Sequence, residues 1–130
     1  MLPYRARTIA IVDESPTFLE AAAHYVASLP GYALAGTASS AAHAVRLVQS
    51  CAPDVLLLGL GAAPARGLEL LRSLKGLPKA PAVIAMTLFH TSEAAAAAVE
   101  AGAAGLVGKD AFVSGLTHTL AKLFPAEIAA

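Results

Sequence analysis

The chain has 130 residues and is 57% hydrophobic with only 14% charged residues, a balance that buries a full core and excludes a disordered chain. Nine basic and nine acidic side chains cancel, which leaves no electrostatic footprint for sequence-independent binding of DNA or RNA. A single cysteine, Cys51, excludes an internal disulfide, and His24, His43, Cys51, His90 and His118 are scattered without metal-ligand spacing.

The elements follow in chain order. Thr8 to Val12 (TIAIV) is short, apolar and β-branched, and reads as a buried strand. Ser15 suits a helix N-cap and Pro16 the first helical position. Phe18, Leu19, Ala22, Ala23 and Val26 then recur at helical spacing until Pro30-Gly31. Tyr32 to Thr37 is a second, weaker strand. Ser39 or Ser40 caps a helix with Ala41, Ala44, Val45 and Val48 on its apolar face. Pro53-Asp54 introduces Val55 to Leu58, a strand buried on both faces, and Gly59 to Gly67 reads as a loop. Leu68, Leu71 and Leu74 mark a third helix, ended by Gly76 and Pro78. Ala82 to Met86 is strand four. Thr91 or Ser92 opens an alanine-rich fourth helix, with Glu93 in its first turn and Gly102 at its end. Leu106-Val107 belongs to strand five. Asp110 is expected to cap a last helix carrying Phe112, Val113, Leu116, Leu120 and Leu123, stopped by Pro125.

Five βα units in succession predict an α/β fold, a doubly wound parallel sheet with helices on both faces. No linker or repeat divides the chain, so residues 1–130 read as a single domain with its core at about 7–124. The longest uncharged stretches, residues 55–65 and 80–92, fall short of the roughly 18–20 residues that span a bilayer. Met1 to Val12 lacks the long apolar core of a secretory signal. With one unpaired cysteine, the expectation is a cytoplasmic protein with no membrane contact, and Cys51 packed rather than reactive. In such sheets ligands sit beyond the carboxyl ends of the strands, which draws attention to Asp13-Glu14, Gly59, Thr87 and Lys109.

Those positions carry a resemblance. IVDESPTF (residues 11–18), PDVLLLGLGAAPARGLELLRSLK (53–75), AVIAMT (82–87) and EAGAAGLVGKDA (100–111) resemble, in order, the motifs of bacterial response-regulator receiver domains. The stretches PGYALAGTASS and Lys-Asp-Ala look most like receivers of LuxR-type regulators. The resemblance implies a flavodoxin-like (βα)5 sheet in strand order 2-1-3-4-5. It also implies a place in two-component phosphorelay signal transduction.

In working receivers one aspartate accepts a phosphoryl group from a partner histidine or a small phosphodonor. By resemblance, Asp13 and Glu14 match the acidic pair that holds Mg²⁺, and Gly61 matches its backbone carbonyl ligand. Thr87 matches the switch hydroxyl and Lys109 the cation that pairs with the phosphoryl group. The acceptor position itself is Gly59, which supplies neither nucleophile nor metal ligand. Asp54 sits at the far end of the strand, roughly 16 Å away, and cannot substitute. Ala62-Ala63 stands where Met-Pro is usual, Arg66 where an acidic residue is common, and Leu106 where a rotating aromatic is often found.

Each residue also has a plainer reading. Asp13-Glu14 can be a solvated pair at a helix start, Thr87 a structural hydroxyl, and Lys109 an ion-pair partner of Asp13 or Glu14. The site is expected to bind Mg²⁺ weakly or not at all and to need no other cofactor. No enzymatic activity is expected. A flavin-type enzyme is disfavoured, because Asp13 and Glu14 repel phosphate and Pro16 removes an amide donor from the first loop. The function expected is that of a pseudo-receiver acting by phosphorylation-independent protein contact. Its partner is a histidine kinase, an output domain or a second copy, met through the fourth helix, fifth strand and fifth helix. The alternative is the N-terminal receiver of a LuxR-type transcriptional regulator whose DNA-binding domain is absent from this chain, with phosphorylation elsewhere.

Overall fold

The computed structural model describes residues 6–125. Five strands, β1 (Arg7–Val12), β2 (Tyr32–Ala38), β3 (Val55–Gly59), β4 (Ala82–Thr87) and β5 (Gly105–Gly108), form one parallel sheet in the order β2-β1-β3-β4-β5. Between and after them run α1 (Pro16–Ala27), α2 (Ala44–Cys51), α3 (Pro64–Lys75), α4 (Ser92–Glu100) and α5 (Phe112–Leu123).

Alternation along each strand divides the core in two. Ile9, Ile11, Val55, Leu57, Ile84 and Met86 face α1 and α5, where Ala22, Val26, Leu116 and Leu120 meet them. Ala10, Val12, Leu56, Leu58, Val83 and Ala85 face the opposite way, toward Ala44, Val48, Leu71, Leu74 and Ala98 of α2, α3 and α4. Both faces of the central strands β1, β3 and β4 are therefore buried, as their continuous apolar runs require, while β2 and β5 at the edges are partly exposed.

The expected caps hold at two helices. The Ser15 hydroxyl accepts the Phe18 amide at 3.3 Å, and the Thr91 hydroxyl accepts the Ala94 amide at 3.0 Å. Elsewhere the local chemistry differs. The segment read as a loop from Gly59 to Gly67 is already helical from Pro64, and Gly67 is buried inside α3. Pro64 opens that helix because its ring presets φ and its missing amide has no partner to lose there. Asp110 makes no side-chain cap; it lies in a 3-10 turn, Lys109–Ala111, that leads into α5. A second 3-10 turn, Ala41–His43, precedes α2, and the Ser40 hydroxyl shares a hydrogen bond with His43 Nδ1 instead of capping backbone.

Candidate functional site at the carboxyl ends of the strands

The sheet order reverses direction between β1 and β3, which opens a crevice at their carboxyl ends. Val12 pairs with Leu58, so Asp13 and Gly59 come next, side by side. Gly59 pairs with Met86 and Thr87 with Gly108, which brings Thr87 and Lys109 to the same end of the sheet.

Asp13 is buried, at 1% exposure, although it is charged. Its Oδ1 accepts the Ser15 amide at 2.9 Å and Lys109 Nζ at 3.0 Å. Its Oδ2 lies 2.7 Å from the same ammonium as an ion pair. This close contact joins residues 96 apart in the chain. The Lys109 ammonium also sits 4.7 Å from the ring centroid of Phe18, which holds it from below. A Cβ at position 59 would collide with Asp13 Oδ2, so a side chain there requires the carboxylate to move. The Asp13 carboxylate thus fills the volume that a residue at 59 would otherwise occupy.

Glu14 is exposed and folds over Gly61, where a Cβ would lie 3.0 Å from Oε1. Gly61 has φ +75°, a left-handed conformation that glycine adopts without steric cost. A cavity of about 250 Å³ opens beside the two carboxylates, with Gly59, Gly61, Ala62, Ala63 and Arg66 in its wall. Among the described residues no group of three or more His, Cys, Asp or Glu side chains is placed to hold a metal ion.

The Thr87 hydroxyl accepts the Phe89 amide at 3.3 Å, so it serves its own turn. Asp54 works at the other end of the sheet, where its carboxylate accepts the Thr8 amide at 2.8 Å. Cys51 is half-buried, with Sγ 3.4 Å from the Ala35 carbonyl oxygen. All four histidines are exposed, and His90 Nε2 donates to the Leu106 carbonyl at 3.2 Å.

Residues 9–121 match the model of the response regulator receiver domain. The chain belongs to this family. The receiver domain is 27% identical to a two-component response regulator of the LuxR family from Aurantimonas, with a TM-score of 0.76 and 96% of each chain covered. It is 26% identical over 103 residues to the nitrate/nitrite response regulator protein NarL of Escherichia coli, covering 79% of this chain and 48% of that protein. It is 34% identical over 108 residues to a protein-glutamate methylesterase/protein-glutamine glutaminase of Cereibacter sphaeroides, covering 82% of this chain and 30% of that one. The receiver domain thus spans half or less of the length of these two relatives. Among its described residues no helix is long and apolar enough to cross a membrane.

Sequence reasoning about this receiver missed Phe18 as a partner of Lys109. Helical spacing marks Phe18 as apolar-facing, but nothing local to it points to an ammonium that arrives from β5. Edge-on contacts with Phe112, at 5.3 Å between centroids, then tie Phe18 to α5.

Proposed function

We propose that this receiver domain is a pseudo-receiver. It takes no phosphoryl group at position 59 and acts by phosphorylation-independent contact with a protein partner. The observation that carries this reading is the Asp13 carboxylate lying over Gly59 and bound by Lys109. The nucleophile that the family places there is missing, and the cation that would meet a phosphoryl group is already engaged.

The same arrangement fits Mg²⁺ poorly. Two carboxylates and one ammonium leave a single net negative charge. A dication gains its place only by prising Asp13 from Lys109. Two-component signalling without a transferred group leaves surface contact as the means of action. We assign the partner face to α4, β5 and α5, and the place of work to the cytoplasm. Of the five alanines Ala94–Ala98, Ala96 is exposed, Ala98 is buried and the others are half-buried. An uncharged helix surface of small side chains has little desolvation cost to overcome on association.

A second reading is supported by coverage. The chain spans 48% of NarL, and it is similar to a LuxR-family regulator. On that reading it is the receiver part of a transcriptional regulator whose DNA-binding domain lies outside this chain.

Incubation with acetyl phosphate and Mg²⁺, followed by intact-mass measurement, tests the pseudo-receiver reading. No added mass is the expected result. A stoichiometric phospho-adduct overturns it in favour of a receiver phosphorylated at another side chain.

A further inference from the structure

We infer that the cavity beside Asp13 and Glu14 binds a free α-amino acid with a small aliphatic side chain, its ammonium on Glu14 and its carboxylate on Arg66. The inference rests on the pseudo-receiver reading, under which no phosphoryl chemistry claims this space, and goes further by giving the space a ligand.

Opposite charges line this cavity without meeting. Glu14 stands just after β1, folded over Gly61, and Arg66 in the first turn of α3. Both side chains are exposed, and neither forms an ion pair or a side-chain hydrogen bond among the described residues. An anion and a cation that face one space and leave each other alone are bridged by a molecule that carries both charges itself. A guanidinium takes a carboxylate through two parallel N–H bonds, and a carboxylate takes a primary ammonium through charge-assisted ones. Asp13 adds to the anionic side. Its Oδ2 touches Lys109 as an ion pair but accepts no hydrogen bond, and it lies at the floor where Gly59 has no side chain.

Charge balance selects the same class of ligand. Asp13 and Glu14 against Lys109 and Arg66 leave the site with no net charge. A dication is repelled by Arg66, and an anion such as phosphate by Asp13 and Glu14. A zwitterion placed with its ammonium on Glu14 and its carboxylate on Arg66 meets no such repulsion.

Size and polarity bound the rest of the molecule. The cavity, about 250 Å³, exceeds the roughly 150 Å³ that holds benzene and falls below the roughly 300–1,000 Å³ of a site for drug-sized ligands. An amino acid fits that space and a nucleotide does not. The remaining wall is largely apolar and includes Leu60, Ala62 and Leu70, against which an aliphatic side chain leaves water.

NMR chemical-shift titration of the full chain with L-alanine, L-valine and L-leucine reads the outcome. At least one is expected to bind with a Kd of about 1 mM or below. Its amide, which lacks the carboxylate, and its N-acetyl derivative, which lacks the ammonium, are each expected to bind at least about tenfold more weakly. Arg66 is exposed, and glutamine nearly matches its helix propensity, so Arg66→Gln leaves the fold intact. That variant is expected to weaken the amino acid at least about tenfold and to leave the amide unchanged, a split that general loss of structure does not produce. Glu14→Gln is expected to weaken the amino acid and to leave the N-acetyl derivative unchanged. Binding of none of the three amino acids overturns the inference, as does binding that the blocked analogues match or that Arg66→Gln leaves untouched. A phospho-adduct in the mass measurement strikes the pseudo-receiver reading, whereas a chain that takes no adduct and binds no amino acid strikes this inference alone.

Discussion

The carboxylate of Asp13 lies over the Cα of Gly59, in the space where a side chain at that position would begin. Even one methyl group there must push Asp13 aside. Gly59→Ala is therefore expected to destabilise the fold by about 1–3 kcal/mol, the usual range for overpacking. Urea unfolding measures it. Gly59→Asp forces the same displacement but adds a third carboxylate beside a released Asp13. Calorimetric titration is expected to show firmer Mg²⁺ binding by that variant than by the parent. Tight binding by the parent contradicts the account of the site.

The Asp13–Lys109 pair makes a second prediction. Asp13 is 1% exposed, so removing its counter-ion strands a buried charge. Lys109→Met is expected to cost about 3–5 kcal/mol. Asp13→Asn combined with Lys109→Met is expected to recover most of that loss, because no charge is then left alone. A double variant no more stable than Lys109→Met alone contradicts the buried pair.

Gly67 sets two effects against each other. Alanine in a helix interior gains about 1 kcal/mol over glycine. A Cβ at Gly67, however, would lie 2.8 Å from the Leu60 carbonyl oxygen and 2.9 Å from the Leu60 Cα. Those are backbone atoms of the loop after β3, so that loop and α3 must separate, and overpacking of about 1–3 kcal/mol wins. Gly67→Ala is expected to lower the melting temperature.

Ala52 ends α2 with φ 45° and ψ 57°, a left-handed conformation costly to an L side chain. Ala52→Gly is expected to stabilise the protein by about 0.5–1 kcal/mol, since the side chain is exposed and nothing is lost in packing. Thermal unfolding checks it.

Ala96 is the exposed member of the α4 alanine run. Arginine has nearly the helix propensity of alanine, so Ala96→Arg leaves the fold intact. It places a long charged side chain on the helix proposed above to meet a partner, and is expected to weaken association through that face in sedimentation velocity.

The parallel sheet, the inward faces of α1 and α3 and the meeting of Asp13, Gly59 and Lys109 at one end were legible in the chain, and the strand order followed from the resemblance. Val113, read onto the buried face of α5, is 53% exposed, and Ala41, read onto that of α2, is exposed in a 3-10 turn. Ile9 to Val12 and Val55 to Leu58 are apolar without interruption, and that pattern forces a parallel sheet covered on both sides. The start of α3 was not legible. Gly61, Pro64 and Gly67 read locally as loop punctuation, yet Pro64 begins the helix and Gly67 is chosen for close packing on Leu60. Asp110 looked like a cap because acidic residues favour helix starts, but the backbone spends that turn in a 3-10 segment. The rotation of Asp13 over Gly59 was also beyond local reading. It depends on an empty volume, which no residue type announces.

The hydrogen bond from His90 to the Leu106 carbonyl bears on the sheet as a whole. β5 is an edge strand, and an open edge invites an extended segment of another chain to add itself as a sixth strand. Here the edge is four residues long, two of them glycine, and an imidazole already holds one of its carbonyls. Fibre-like growth through backbone pairing is blunted on this side. A short edge with one carbonyl already engaged shifts recognition on this side toward side chains, which select a partner more strictly than backbone does.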